Sequence, residues 1–170
     1  MSLLRFLGIT GAESDERGES ETVQRIASEL ERLPPEESRY LAAFAYVLAR
    51  IAHADLEIDE SETTEMQRIA RELAGLSGSE ATLVVEIAKS QARSMGGTQD
   101  YVVTREFRKI SSRGQRGKLL QCLYAVAAAD GTISTQESAE IVRIGEELGF
   151  TRAEANSLRG AYRDKLAEFQ

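Results

Sequence analysis

Residues 51–73 read IAHADLEIDESETTEMQRIAREL, and residues 126–148, 75 positions later, read VAAADGTISTQESAEIVRIGEEL. Ten of these 23 aligned positions are identical. The identities include five charged pairs, Asp55/Asp130, Glu62/Glu137, Glu65/Glu140, Arg68/Arg143 and Glu72/Glu147. Two unrelated amphipathic helices would share apolar positions because of their periodicity, but they would not also share charged ones, so an internal duplication explains the match. The chain is therefore predicted to contain two related helical units.

The rest of the chain also has a helical pattern, because it has only two prolines, is rich in Ala, Leu, Glu and Arg, and lacks a long β-branched alternation. Helices are predicted at about 21–33, 36–54, 60–74, 79–94, 99–111, 118–129, 135–148 and 152–168. The second of these is apolar over most of its circumference, so it is expected to be central. The fifth carries a basic cluster opposite its apolar side and bridges the two units.

We therefore expect an all-α fold, a compact helical bundle of about seven to eight helices built from two three-helix repeats joined by a bridging helix. The repeat units span about 36–95 and 114–168, and residues 21–170 form a single domain. Residues 1–20 are interpreted as an apolar head followed by a flexible linker rich in Gly, Ser and acidic residues.

Helix starts are marked by capping boxes, in which a small oxygen-bearing side chain caps the helix and an acid three residues later bonds back to its backbone. Four places fit, namely Asp59/Glu62, Ser77/Glu80, Ser134/Glu137 and Thr151/Glu154. The first and third of these occupy equivalent positions of the repeat. The other two are also equivalent if the second copy lacks one residue near Gly149. The capping boxes thus support both the number of helices and the duplication.

The formal net charge of −7 argues against nucleic acid as a partner, because phosphate binding needs a surplus of Lys and Arg. The longest apolar stretch, 41–54, is shorter than the roughly 20 residues of a membrane span and contains charged or polar residues. The head, Met1 to Leu7, is too short for a signal-peptide core, so we expect a cytoplasmic protein. Its four apolar side chains would give only a weak membrane contact, and folding back onto the body is an equal alternative.

Residues that could carry out catalysis are scarce. Cys122 lies among apolar residues and is interpreted as a small buried hydrophobe rather than a reactive thiol. His53, the single histidine, has no second His or suitable Cys to complete a zinc site. No nucleophile elbow, phosphate loop or dinucleotide fingerprint is present, so we expect that the protein is not an enzyme.

The segments ARIAHADLEIDESE and YAVAAADGTISTQESAEI resemble the TerB-like domains of bacterial tellurite-resistance TerB proteins and of the region before the J-domain in DjlA co-chaperones. The likeness covers about residues 36–168. It consists of an apolar helix ending in Ala-x-Ala-Asp, an Ile three residues later, a Glu four residues beyond that, and an amphipathic helix. The resemblance implies a compact helical domain without catalytic activity, linked to stress resistance and binding metal ions or partners through acidic residues.

Asp55 and Asp130 are placed near helix C-termini, where the helix dipole disfavours a negative charge. Their repetition suggests that they bond to the turn backbone or bind a cation. An EF-hand does not fit, because its first two ligand positions would be Val126 and Ala128, or Ile51 and His53 in the first copy, which supply no oxygen ligand. A composite site for Ca²⁺, Mg²⁺ or Mn²⁺ would instead use four carboxylates, Asp55, Glu62, Asp130 and Glu137. Capping, turn bonding and a solvated acidic face are the alternatives, and no other cofactor is expected.

A second candidate surface is basic, because residues 105–118 hold six cations and a single Glu. We name Arg105, Arg108, Lys109 and Arg113 as candidate interaction residues, with a plain solvated face as the alternative. The sequence therefore predicts a non-catalytic TerB-like module that binds a protein partner or regulates one in tellurite-type stress resistance. The alternative function is a divalent-metal-binding or metal-sensing domain that uses the repeated Asp and Glu residues.

Overall fold

The computed structural model describes the backbone of residues 17–52, 60–94, 100–129 and 131–161. Side chains are described for residues 24–51, 60–89, 103–129 and 131–161. Eight helices lie in these ranges: α1 Arg17–Glu31, α2 Pro35–Ala52, α3 Glu60–Ala74, α4 Gly78–Ser94, α5 Asp100–Ile110, α6 Arg113–Ala128, α7 Thr135–Glu147 and α8 Arg152–Arg159. The all-α fold is confirmed. Helices α2–α4 form the first repeat unit, α6–α8 form the second, and α5 bridges them. No helix in the described ranges has the length and apolar character that crossing a membrane requires.

Two helices begin earlier than predicted. Helix α1 begins at Arg17, so the last four residues of the expected linker, 17–20, are helical. Helix α6 begins at Arg113 rather than near Lys118, because Ser112 and Gln115 form a capping box there. The amide of glutamine at the third helical position makes the same bond as an acid does. The last helix ends earlier than predicted, at Arg159, and the stretch 162–168 lies outside the described residues.

Three of the four predicted capping boxes are confirmed. Ser77 N donates to Glu80 Oε1 over 2.9 Å, and Glu80 N donates back to Ser77 Oγ over 3.2 Å. The same reciprocal pairs occur at Ser134/Glu137 and Thr151/Glu154. The fourth box cannot be placed, because Asp59 lies outside the described residues.

Helix α2 is at the centre of the bundle, as its apolar circumference predicted. Every residue in the stretch 41–49 is buried, and the helix packs against α4, α5 and α6 and more lightly against α1 and α7. Phe107 of α5 is fully buried in an aromatic cluster with two residues of α2, its ring centroid lying 5.5 Å from that of Tyr40 and 6.3 Å from that of Phe44. Burial of this kind stabilises the fold by about 1.5–3 kcal/mol per large apolar side chain. Helix α5 is therefore held firmly against the core.

The lone thiol fits the same core. Cys122 on α6 is 1% exposed, and burial raises the pKa of its thiol to about 12. At neutral pH the group is a thiol rather than the nucleophilic thiolate. The prediction of a small buried hydrophobe is confirmed.

The two units interlock. Helix α3 of the first unit packs along α6 of the second, and α6 also contacts α2. The equivalent pair on the other side of the bundle, α2 and α7, has only a light direct contact. Helix α5 lies between them and packs against both helices. The bridging helix therefore fills one of the two places where the units face each other.

Arg50 of α2 joins these elements at the α5 side. Its side chain is 5% exposed, and its guanidinium donates to Glu147 over 2.7 Å, to Glu140 over 2.5 Å and to Thr104 over 3.0 Å. Burial opposes its charge, but the two α7 carboxylates outweigh burial and raise the pKa of Arg50. One side chain thus links α2, α5 and α7 by charge-assisted hydrogen bonds.

Two carboxyl groups, Glu37 of α2 and Glu80 of α4, affect each other's titration. The capping bonds with Ser77 hold the pKa of Glu80 low, whereas the neighbouring Glu80, which can accept a hydrogen bond from the protonated Glu37, and burial raise the pKa of Glu37. Glu37 therefore binds a proton more readily in the fold than in the unfolded chain. The stability this gives is fully present below the ordinary carboxyl pKa and is lost as the pH rises through the raised pKa.

Glu37→Gln is expected to raise the melting temperature at pH 7, because the amide donates to Glu80 at any pH without adding a charge. At pH 4 the difference from the parent should disappear. Glu36→Gln, on the same first turn of α2, is the matched control, since it removes the same favourable charge from the helix N-terminus. Thermal unfolding followed by circular dichroism measures all three chains, and an equal shift in both variants would contradict the pairing.

Candidate functional site

The predicted acidic site is only partly within the described residues. Asp55 and Asp130 lie outside them. Glu62 is exposed in the first turn of α3. Glu137 is half-buried in the first turn of α7, where Ser134 N donates to its Oε2 over 2.8 Å. The capping role proposed for Glu137 is thus confirmed.

The turn that precedes α7 is shaped by Gly131 and Ile133. Gly131 has φ +100°, a conformation that side-chain-bearing residues rarely adopt, and Ile133 is fully buried. The first copy has Leu56 at the position of Gly131, and that residue lies outside the described ranges. Within the described residues, no three His, Cys, Asp or Glu side chains are grouped so that they could hold a metal ion. The four-carboxylate metal site stays a prediction.

The basic candidate residues can be followed in detail. Arg105, Arg108 and Lys109 are exposed on α5, at positions i, i+3 and i+4, and so lie on one side of that helix. We call these three side chains the basic face. The opposite side of α5 is buried through Val103 and Phe107.

Arg113 is separate from the basic face. It is the first residue of α6, pairs with Glu154 of α8, and lies with its guanidinium carbon 4.7 Å from the ring centroid of Phe150. Nearby, Arg116 donates to the carbonyl oxygen of Leu148 over 2.7 Å. These two arginines attach α6 to the end of α7 and the start of α8, where a cation also suits the negative end of the α7 dipole.

Arg108 contacts the same turn from α5. Gly149 has φ +92°, and a Cβ built on it would lie 2.9 Å from Arg108 Nε. The positive φ favours glycine at this position. The guanidinium of Arg108 therefore lies close against the turn after α7.

Sequence reasoning missed two features of this region. The first is Ile110, which ends α5 and is 38% exposed. Periodicity predicts it to be part of the buried stripe of the helix, because the pattern does not reveal where a helix extends past its neighbours. The second is the structural role of Arg113, whose signal was the capping pattern at Ser112 and Gln115.

The two roles of Glu137 can be separated by substitution. Glu137→Gln keeps the capping bonds and should leave the free energy of unfolding nearly unchanged, whereas Glu137→Ala should lower it by about 1 kcal/mol. Urea unfolding measures both. If Glu137 acts only as a cap, titration calorimetry with Ca²⁺, Mg²⁺ or Mn²⁺ gives the same heats for the parent and Glu137→Gln. A saturable heat that the Gln variant loses would contradict a capping role alone.

Comparison with protein families shows that the model described as "Tellurite resistance protein TerB" matches residues 40–160. These residues contain both copies of the repeat, the bridging helix and the basic face. Comparison with curated proteins and with solved structures gives no match. The match covers well over half of the chain and agrees with the all-helical, duplicated architecture, so the chain belongs to the TerB family.

Proposed function

We propose that this chain is a non-catalytic, cytoplasmic module that binds another protein through its basic face and acts in a stress response of the tellurite-resistance type. The observation that carries the proposal is the arrangement of α5, which turns Arg105, Arg108 and Lys109 outward while Phe107 fixes the helix to the core. The stress role rests on membership of the TerB family alone.

Rigid presentation supports binding by this face. The cations lie on a helix rather than on a loop, and Arg108 also packs against Gly149. A helix fixes the spacing of the three residues, so less backbone freedom is lost on binding than from a loop. A partner can therefore meet a preformed surface.

The charge of the rest of the chain supports the same conclusion. The formal net charge is −7, so a positive surface on this chain differs from its surroundings. The positive face attracts an acidic partner, and the net negative charge of the rest of the chain repels that partner elsewhere.

Reversal of the three charges, Arg105→Glu/Arg108→Glu/Lys109→Glu, should abolish partner binding without unfolding the protein, because all three side chains are exposed. The matched control reverses three exposed arginines, in the turn after α1, on α2 and on α3: Arg32→Glu, Arg39→Glu and Arg71→Glu. The measurement is cross-linking and affinity capture in the native host, comparing parent, variant and control. Partners that persist with the basic-face variant would contradict the proposal.

The same three chains test the stress role. In a host that lacks the chromosomal copy, the parent and the control should restore growth on potassium tellurite, and the basic-face variant should not. A deletion that leaves tellurite tolerance unchanged would contradict the stress role while leaving the binding face to be judged by the captured partners.

A further inference from the structure

We propose that three arginines at the turn after α7 bind the phosphoryl group of a phosphorylated peptide. The three are Arg108 of α5 and Arg113 and Arg116 of α6, and we call them the arginine cluster. This inference rests on the proposed function, because Arg108 also belongs to the basic face, and it names the chemical class of the partner.

The arginine cluster surrounds the turn 148–150, and each guanidinium meets a different residue of that turn. Arg116 Nη1 donates to the carbonyl oxygen of the first residue over 2.7 Å. The guanidinium of Arg108 lies against the second, and that of Arg113 lies over the aromatic ring of the third. Arg113 and Arg116, at positions i and i+3, lie on one side of α6. Three cations from two helices thus meet at one turn.

The charge at this turn is not balanced by the side chains that the structure describes. Glu154 pairs with Arg113, and the C-terminal end of the α7 dipole adds about half a negative charge. Arg108 and Arg116 form no ion pair with any described side chain. Capping of α7 therefore explains one of the three cations. A bound anion would relieve the repulsion among the three.

A turn of this kind forms without arginines elsewhere in the fold. Gly149 in the turn after α7 has its repeat equivalent in Gly75, and both have a positive φ, +92° and +69°. A Cβ built on Gly75 would have nothing within 4 Å, so none of the described side chains covers the turn after α3. The arginine cluster is therefore not a requirement for ending a helix in this way.

Each guanidinium keeps donors that a ligand can use, since an arginine has five N–H donors. Arg113 bonds to Glu154 through Nη2 alone, and its side chain is still 56% exposed. Arg116 uses Nη1 and Nε on two backbone carbonyl oxygens, which fix its orientation and leave Nη2. Arg108 is exposed and donates to none of the described acceptors. The cluster thus offers donors from three partly oriented groups.

A phosphoryl group fits this arrangement better than one carboxylate does. It carries nearly two negative charges at neutral pH and three acceptor oxygens, so it can bind more than one guanidinium at once. Attachment to a peptide suits the site, because Arg105 and Lys109 flank Arg108 on the basic face and can bind acidic residues beside the phosphorylated one. A bilayer would bring the acidic remainder of this −7 chain towards the lipid headgroups.

The test measures the fluorescence anisotropy of a fluorescein-labelled acidic peptide that carries one phosphoserine. The full chain should bind it, and added salt should weaken binding. A peptide with two glutamates in place of the phosphoserine has nearly the same charge, but it should bind about tenfold more weakly, because its carboxylates do not share one centre. Inorganic phosphate should compete only at a far higher concentration, since it lacks the acidic flanks.

Substitution tests whether the arginine cluster gives this preference. Arg108→Gln/Arg113→Gln should weaken phosphopeptide binding about tenfold or more and should remove the preference over the glutamate peptide. The matched control, Arg32→Gln/Arg71→Gln, changes two exposed arginines elsewhere and should bind both peptides like the parent. Circular dichroism confirms that each variant is folded.

The basic face is separated from the arginine cluster by Arg105→Gln/Lys109→Gln, which should weaken both peptides by the same factor. The inference is overturned if the parent does not bind the phosphopeptide, if it binds both peptides equally, if the control loses as much affinity as the cluster variant, or if inorganic phosphate competes as strongly as the phosphopeptide. Binding of phosphatidic acid vesicles, and not of the phosphopeptide, would also overturn it. Loss of cellular partners on charge reversal of the basic face, without phosphopeptide binding, would overturn this inference alone and leave the proposed function standing.

Discussion

The packing of the two units depends on Arg50. A charged side chain that is 5% exposed is costly unless it is paired, and here Glu140, Glu147 and Thr104 bind it. Removing one partner of such a network leaves a buried charge uncompensated, at a cost of about 3–5 kcal/mol. The position of α7, and of α5 between α7 and α2, is thereby fixed, and α5 in turn presents the basic face.

Comparison of the two repeat copies shows why the Arg50 network forms between α2 and α7 but not between the equivalent helices α6 and α3. Glu140 and Glu147 have repeat equivalents in Glu65 and Glu72, but those two bind Arg68 of their own helix, on the exposed surface of α3. The repeat equivalent of Arg50 is Ala125. A small residue there is consistent with the direct packing of α3 on α6, whereas the long side chain of Arg50 spans the place where α5 is inserted. The difference between Arg50 and Ala125 thus matches the insertion of α5 between α2 and α7 but not between α6 and α3.

Much of this architecture could be predicted from the sequence, because it is encoded locally. Apolar periodicity identified α2 as central, and oxygen-bearing side chains three residues before Glu80, Glu137 and Glu154 marked helix starts. The start of α6 differs from the prediction because Gln115, rather than an acid, returns the bond to the helix cap. The partners of Arg50 lie 90 and 97 residues away, a separation that no local pattern reveals. For the candidate site, the outward face of α5 was predicted, whereas the separation of Arg108, on that face, from Arg113, which pairs with Glu154 of α8, depends on tertiary packing.

The most direct test of the role of Arg50 is a double-mutant cycle on the free energy of unfolding, measured in urea for the parent, Arg50→Met, Glu147→Gln and the double variant. A cycle at Arg68 and Glu72 supplies the surface reference, and we expect it to give a coupling of about 0.5 kcal/mol or less. The account predicts a coupling several times larger, about 2 kcal/mol or more, for Arg50 and Glu147. A coupling at Arg50 no larger than the surface value would contradict the claim that this buried ion pair holds the two units together.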